Sequence, residues 1–323
     1  MEKSVENGRI LNRCGRSSMA ELQLPKLATR VRFPSPAPMK CEICPRKCKI
    51  NREKQVGFCG AKTLKIAKVM LHEWEEPIIS GERGSGAIFF SHCSLKCLYC
   101  QNCEISSFGE GKELSVEQLA EIFKDLEKAG ANNINLVSPT HYLNEIISAF
   151  KIYKPKIPIV WNTSGFETVE TIKKLKNYVD IFLTDLKYFS PELSKDFSKA
   201  ENYFEFASKA ILQMRKNQPK DIIENGIMKK GLIVRHLVLP SCHYDSIKIF
   251  NWINKNLENE TIVSLMSQYI PCHEALNNKK LNRKLKPLEY KIVLSHVEKL
   301  GFKNGYFQDF SSAQSCYIPD FKA

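Results

Sequence analysis

The sequence predicts an α/β fold built on a parallel sheet, and three observations carry that prediction. Short apolar runs recur through residues 85–300, separated by stretches with helical apolar spacing. Alternation of this kind, about six strand–helix units, calls for parallel strands joined by helical crossovers. Polar and sulfur-bearing residues collect just beyond the apolar runs. Chemistry gathers at that end of the strands both in barrels and in open doubly wound sheets, and the pattern is compatible with either.

The chain has 323 residues, 43% hydrophobic and 26% charged, which suits one large folded domain or two small ones. No apolar stretch approaches the ~18 residues of a membrane span. No signal-peptide pattern opens the chain. Twelve cysteines without an export signal point to a reducing, cytoplasmic setting, where clustered cysteines bind metal more often than they form disulfides. The net charge of +13 suits nucleic acid or an acidic protein. No lysine or arginine block stands out as a nucleic-acid arm. A solvated lysine-rich face is the simpler reading, and neither nucleic acid nor a membrane is expected as partner.

Residues 1–38 have no clear period, and Pro34, Pro36 and Pro38 punctuate their end. Arg30-Val31-Arg32-Phe33-Pro34 resembles a translated transfer-RNA T-arm. The expectation is a start at Met39 and an upstream segment that is spurious or disordered.

Residues 39–82 read as a cysteine-rich metal-binding module with a lead-in. Cys41, Cys44, Cys48 and Cys59 crowd a polar segment whose turn chemistry comes from Pro45, Gly57 and Gly60. Four such thiolates suit zinc or a second iron–sulfur cluster, and spacing does not choose between them. Trp74-Glu75-Glu76-Pro77-Ile78-Ile79-Ser80-Gly81 reads as a lead-in that packs one end of the main domain. Gly81, Gly84 and Gly86 mark the turn before the first strand of that domain, 83–305.

That strand, 87–90, runs into Ser91-His92-Cys93-Ser94-Leu95-Lys96-Cys97-Leu98-Tyr99-Cys100. Three thiolates so close on a loop after a strand can hold an iron–sulfur cluster, with one iron lacking a protein ligand. Ser115 caps the next helix, with Gln118 as capping-box partner, and Gly130 ends it. Strands follow at 134–137, 157–161, 179–183, 232–239 and 262–266. Helices fall at about 142–153, 169–175, 203–215, 246–257 and 288–300. Ser138, Asn162, Asp185, His236 and Gln268 all fall at or beyond the carboxyl ends of their strands. Residues 306–323 are left as a tail.

C-x3-C-x2-C directly after the first strand of a βα series resembles the signature of the radical S-adenosylmethionine superfamily. Gly84-Ser85-Gly86 before the strand and Cys100-Gln101-Asn102 after the loop resemble the branch of pyruvate formate-lyase activating enzyme. Cys44-Pro45-Arg46 and Asn51-Arg52 resemble an activating-enzyme-like group within that branch. The resemblance implies a partial (β/α)6 barrel in which Cys93, Cys97 and Cys100 hold a [4Fe–4S] cluster. The fourth iron would chelate S-adenosylmethionine. One electron, supplied by reduced flavodoxin or ferredoxin, would split it into methionine and a 5′-deoxyadenosyl radical that takes hydrogen from a substrate.

Residue by residue, the resemblance puts Tyr99 against the adenine. It sets the loop 162–165, with Asn162 and Ser164, beside the ribose and methionine, and Arg235 on the cofactor's carboxylate. Asp185 and Lys187 form an Asp-x-Lys element near the substrate, with His236 and Gln268 as further substrate-side candidates. Where the family carries Gly-Gly-Glu, this chain has Ser138-Pro139-Thr140-His141, so Thr140 or backbone carbonyls would receive the cofactor's amino end. Asn162 stands where the branch can carry an acid. Cys103 offers a fourth thiol that could close the cluster, although four-ligand sites usually take a more distant last cysteine. Cys242 and Cys272 follow the last two strands of the domain and are placed at the mouth. Cys316 lies in the tail.

The reading is a radical enzyme whose substrate is a glycyl-radical enzyme. Modification of another protein or a small molecule is the second reading. A non-enzymatic zinc module that binds nucleic acid is the third.

Overall fold

The computed structural model describes residues 40–257, 260–310 and 321, with the backbone alone of 4–6 and 9–11. The expectation for residues 1–38 otherwise lies outside the described residues, as does Cys316. In chain order the elements are β1 (Ser4–Glu6), β2 (Arg9–Leu11), β3 (Lys65–His72), α1 (Pro77–Ser80), β4 (Ser85–Phe90), α2 (Cys103–Ser106), β5 (Lys112–Glu113), α3 (Val116–Lys128), β6 (Ile134–Val137), α4 (Leu143–Ile152) and β7 (Ile159–Thr163). Then come α5 (Val169–Lys174), β8 (Ile181–Asp185), α6 (Pro191–Ser198), α7 (Tyr203–Asn217), β9 (Ile222–Glu224), β10 (Ile227–Leu237), α8 (His243–Asn256), β11 (Ile262–Met266), α9 (Pro287–Leu300) and β12 (Gly305–Gln308).

Strands β4, β6, β7, β8, β10 and β11 are parallel and lie side by side in sequence order. A doubly wound sheet would reverse its order somewhere. This one never does, so the architecture is the partial barrel. β3 lies antiparallel on β4, β12 lies parallel on β11, and these two flanking strands do not pair with each other. The segment expected as lead-in therefore supplies a strand of the sheet, and the expected tail begins inside β12.

Burial follows from this arrangement. Every residue of β4 is buried, as a strand covered on both faces requires. α3 shows the full capping box: Gln118 N–H donates to Ser115 Oγ at 3.2 Å, and Ser115 N–H to Gln118 Oε1 at 2.8 Å. Its apolar stripe of Leu119, Ile122, Phe123 and Leu126 faces the sheet. Ser115→Ala is expected to cost about 1 kcal/mol in a denaturant titration.

Some strands begin later or earlier than the apolar runs suggest. β7 and β8 start and end two residues later than expected, and the later ends put Asn162 and Asp185 inside the strands. β10 starts five residues early because Ile227 onward first pairs with β9 in a hairpin. Asn225 and Gly226, both at positive φ, supply the left-handed pair that a two-residue hairpin turn needs.

The amino-terminal end of the barrel is plugged. Ile78 and Ile79 of α1 pack among Val160, Ile181, Leu183, Ile233 and Ile262 on the inner faces of the strands. This anchors the residues just before α1 inside the barrel rather than across its end. Among the described residues no helix is long and apolar enough to cross a membrane.

Candidate active site

The carboxyl ends of the parallel strands surround a cavity of about 280 Å³. Cys93, Cys97, Cys100, Ser138, Asn162, Ser164, Asp185, Lys187, Arg235 and Gln268 all line it. Three thiols thus face one space, and each accepts a hydrogen bond. Leu95 N–H lies 3.3 Å from Cys93 Sγ, Ser198 Oγ 3.0 Å from Cys97 Sγ, and Ser106 Oγ 3.1 Å from Cys100 Sγ. Burial pushes the Cys97 thiol up and the Cys100 thiol to about 12. Metal binding would release those protons. Among the described residues no three His, Cys, Asp or Glu groups converge on a single-ion position. Three thiols on one short loop that face the same cavity suit an iron–sulfur cluster. Cys103 opens α2 and does not line the cavity.

Opposite the thiols lies a buried charge network centred on Arg235. Its Nε donates to Asp185 Oδ1 at 2.9 Å, one terminal nitrogen to Glu75 Oε1 at 2.8 Å, and the other to Asn162 Oδ1 at 2.8 Å. Arg235 and Asp185 sit directly across from one another in the β8–β10 register. Lys187 Nζ holds the second Asp185 oxygen at 2.7 Å. Glu75 Oε2 accepts from Asn162 at 2.9 Å and Asn135 at 3.1 Å. Burial alone would raise the Asp185 carboxyl, but Lys187 and Arg235 outweigh it and hold it below the usual carboxylate range. Its stabilising contribution is present above that range and fades as pH falls through the lowered value.

Glu76 behaves in the opposite way. Burial pushes it up to about 7, against the pull of Arg235, and Glu75 adds to the rise. A carboxyl raised on folding stabilises at low pH and loses that contribution as pH rises toward the folded value. Glu76→Gln is therefore expected to raise the unfolding temperature relative to wild type at pH 8 and to leave it nearly unchanged at pH 4. Thermal unfolding at the two pH values checks this.

Glu75 is the residue that sequence reasoning missed. The adjacent carboxylates before Pro77 were its only signal, and they read as part of a lead-in. Ser198 and Ser106 were missed too, since nothing local links a serine on α6 or α2 to a distant thiol.

Three expected residues do not line the cavity. Strand alternation sends Arg235 inward and His236 to the helix side, where its ring bonds Leu186 O and Ser246 Oγ, and burial pushes it down to about 4. The Tyr99 hydroxyl pairs with Tyr188 at 2.7 Å, and its ring packs against Tyr269. Thr140 donates to Glu167 at 2.7 Å, where Thr163 and Trp161 also converge. Cys242 and Cys272 are likewise off the cavity. Cys242 is buried ahead of α8, and Cys272 Sγ reaches Tyr99 O at 3.4 Å. The loop 162–165 does reach the cavity. Gly165 lets it lie on β8: at φ +79°, an added Cβ would fall 2.2 Å from Asp185 O.

Comparison with known proteins agrees with this geometry. Residues 87–229 match the model of the radical SAM superfamily. The chain is 33% identical over 270 residues to an uncharacterized protein of Methanocaldococcus jannaschii, spanning 80% of this chain and 74% of that one. It is 25% identical over 236 residues to the (2S)-3-sulfopropanediol dehydratase activating enzyme of Klebsiella oxytoca, 70% of each chain. Among solved structures, methylornithine synthase is 15% identical with a TM-score of 0.45, over 67% of this chain and 60% of that one. The superfamily implies a [4Fe–4S] cluster and S-adenosylmethionine. With three cysteines on the first βα loop facing the polar strand ends of a partial barrel, and with the family-model match and the Methanocaldococcus jannaschii relative, the chain belongs to the radical SAM superfamily.

Proposed function

We propose that this protein reductively cleaves S-adenosylmethionine and uses the resulting radical to take hydrogen from a protein substrate, a glycyl-radical enzyme. The observation that carries the first part is the convergence of Cys93, Cys97 and Cys100 on a cavity whose far wall is the Arg235 network. When bound, the cluster and S-adenosylmethionine supply the electron and the radical.

The chain's own residues bind, orient and shield. The three thiolates hold the cluster, and Ser198 and Ser106 donate to two of them. Asp185, Lys187, Glu75 and Arg235 form a charge-balanced wall that suits a zwitterionic amino-acid group. Ser138 and the loop 162–165 border the same space. The buried plug at α1 closes the far end of the barrel to water.

The choice of a glycyl-radical substrate is supported by the activating-enzyme relative. Modification of a different protein or of a small molecule is the second reading within the same chemistry. Residues 39–82 serve as a metal-binding module, and a cytoplasmic setting suits twelve cysteines. The net charge of +13 suits an acidic donor such as reduced flavodoxin or ferredoxin. Electron-transfer rates are then expected to fall as salt rises, and rates independent of ionic strength would remove the donor assignment.

Anaerobic reconstitution tests the core reading. The reduced, iron-loaded protein should release 5′-deoxyadenosine from S-adenosylmethionine, and an iron-loaded protein that releases none would overturn it. A glycyl-radical signal in a candidate partner tests the substrate.

A further inference from the structure

The amino-terminal cysteines face an enclosed space of their own. Cys41, Cys44, Cys48 and Cys59 line one small cavity together with Arg46, Arg52 and His141. The backbone is bent tightly around it. Lys49 N–H donates to Cys41 O and Cys41 N–H to Ile50 O, with Lys47 and Lys49 both in the left-handed region. Gly57 keeps the wall thin, since an added Cβ would lie 3.0 Å from Cys48 Sγ.

Two features say what this space is built to hold. The first is an orphaned cation. One terminal nitrogen of Arg52 donates to His141 O, but its Nε and other terminal nitrogen are buried with no partner. Buried donors without acceptors are rare in native structures and point to an acceptor bound beside them. The second is the donor set. Four thiols line the cavity, and His141, the other lining side chain that could ligate a metal, is turned to Ser91 O at 2.7 Å. Four thiolates complete the ligand set of a [4Fe–4S] cluster, whose bridging sulfides add acceptors of their own for the unpaired Arg52 donors.

We propose that Cys41, Cys44, Cys48 and Cys59 hold a second [4Fe–4S] cluster, with Arg52 donating hydrogen bonds to its sulfur atoms. Every iron then has a thiolate, so this cluster has no open position and does not bind S-adenosylmethionine. Four thiolates on an oxidised cluster leave a double negative charge, and Arg46 and Arg52 are the two cations that face it.

The module is seated directly on the first cysteine loop. Arg46 Nε donates to Ser94 O at 3.0 Å, and a terminal nitrogen donates to Ser198 O at 3.1 Å. Gly60 lies against His92, where an added Cβ would fall 2.8 Å from Nδ1.

The assignment stands apart from the reading at residues 93–100, and the test separates the two. The full chain is reconstituted anaerobically with iron and sulfide and then reduced with dithionite. Wild type should bind about eight irons per chain. A C93A/C97A/C100A variant should keep about four, with an electron paramagnetic resonance signal that S-adenosylmethionine does not alter. A C44A/C48A variant should also keep about four, with a signal that S-adenosylmethionine does alter. Arg52→Leu should keep both clusters and make the unresponsive signal harder to reduce. Zinc in place of iron in the triple variant would overturn the proposal. So would the absence of iron there while circular dichroism shows the fold intact.

Discussion

Replacing Arg235 with alanine is expected to lower the unfolding free energy by about 3–5 kcal/mol. The side chain is largely buried, and it answers two carboxylates at once, Glu75 and Asp185. Removing it leaves both charges in a low-dielectric site, with Lys187 as partner for Asp185 alone. The cost is the uncompensated burial, not the intrinsic worth of the pairs. It follows that a double variant, Arg235→Met with Glu75→Gln, which leaves Asp185 paired with Lys187, should recover much of the loss. Guanidinium titrations of the three proteins decide this. Recovery absent from the double variant would mean that Arg235 matters through packing instead. Asn162 also loses its anchor in the alanine variant. S-adenosylmethionine binding, read by calorimetry, is expected to weaken at least about tenfold.

Cys97→Ala is expected to reduce 5′-deoxyadenosine formation to background while the fold survives. Two thiols on a loop do not retain a cluster that needs three, and Cys97 is the most enclosed member of the set. Ser198→Ala provides the graded comparison. It removes the hydroxyl that donates to Cys97 Sγ without removing a ligand. Its cost should be about tenfold in activity, in the range expected for outer partners of a metal ligand. Iron content separates the two outcomes. It should fall in the cysteine variant and hold in the serine variant.

The order of strands and the position of the cysteine loop were legible because both rest on short-range pattern. Apolar runs at 134–137 and 262–266 match β6 and β11 to the residue, and Ser115 with Gln118 marks the start of α3. Asp185 and Asn162 were legible as strand-end polar residues, and Arg235 through the family resemblance. Their mutual bonding was not, because it depends on register between β7, β8 and β10. His236 shows the limit more sharply. A strand of period two sends neighbours to opposite faces, and a run of eight residues that is apolar on both sides of Arg235-His236 does not say which face is inside. Glu75 was hidden for a different reason. It reaches the cavity because α1 plugs the barrel, and a four-residue helix leaves too little periodicity to announce that. The hairpin at Asn225-Gly226 was legible and went unread, since the apolar run that follows drew attention to β10 alone.

Arg46 has a consequence for how the protein acquires its cofactors. It belongs to the wall of one cysteine cavity and bonds to the backbone of the loop that forms the other. Whatever favours its seated position from one side favours it from the other. With a metal centre in each, as proposed, the two loading equilibria are linked, and the linkage is reciprocal: filling the module changes the affinity of the loop by the same factor as filling the loop changes that of the module. At limiting iron, chains loaded at one site alone are then fewer than two independent sites would leave.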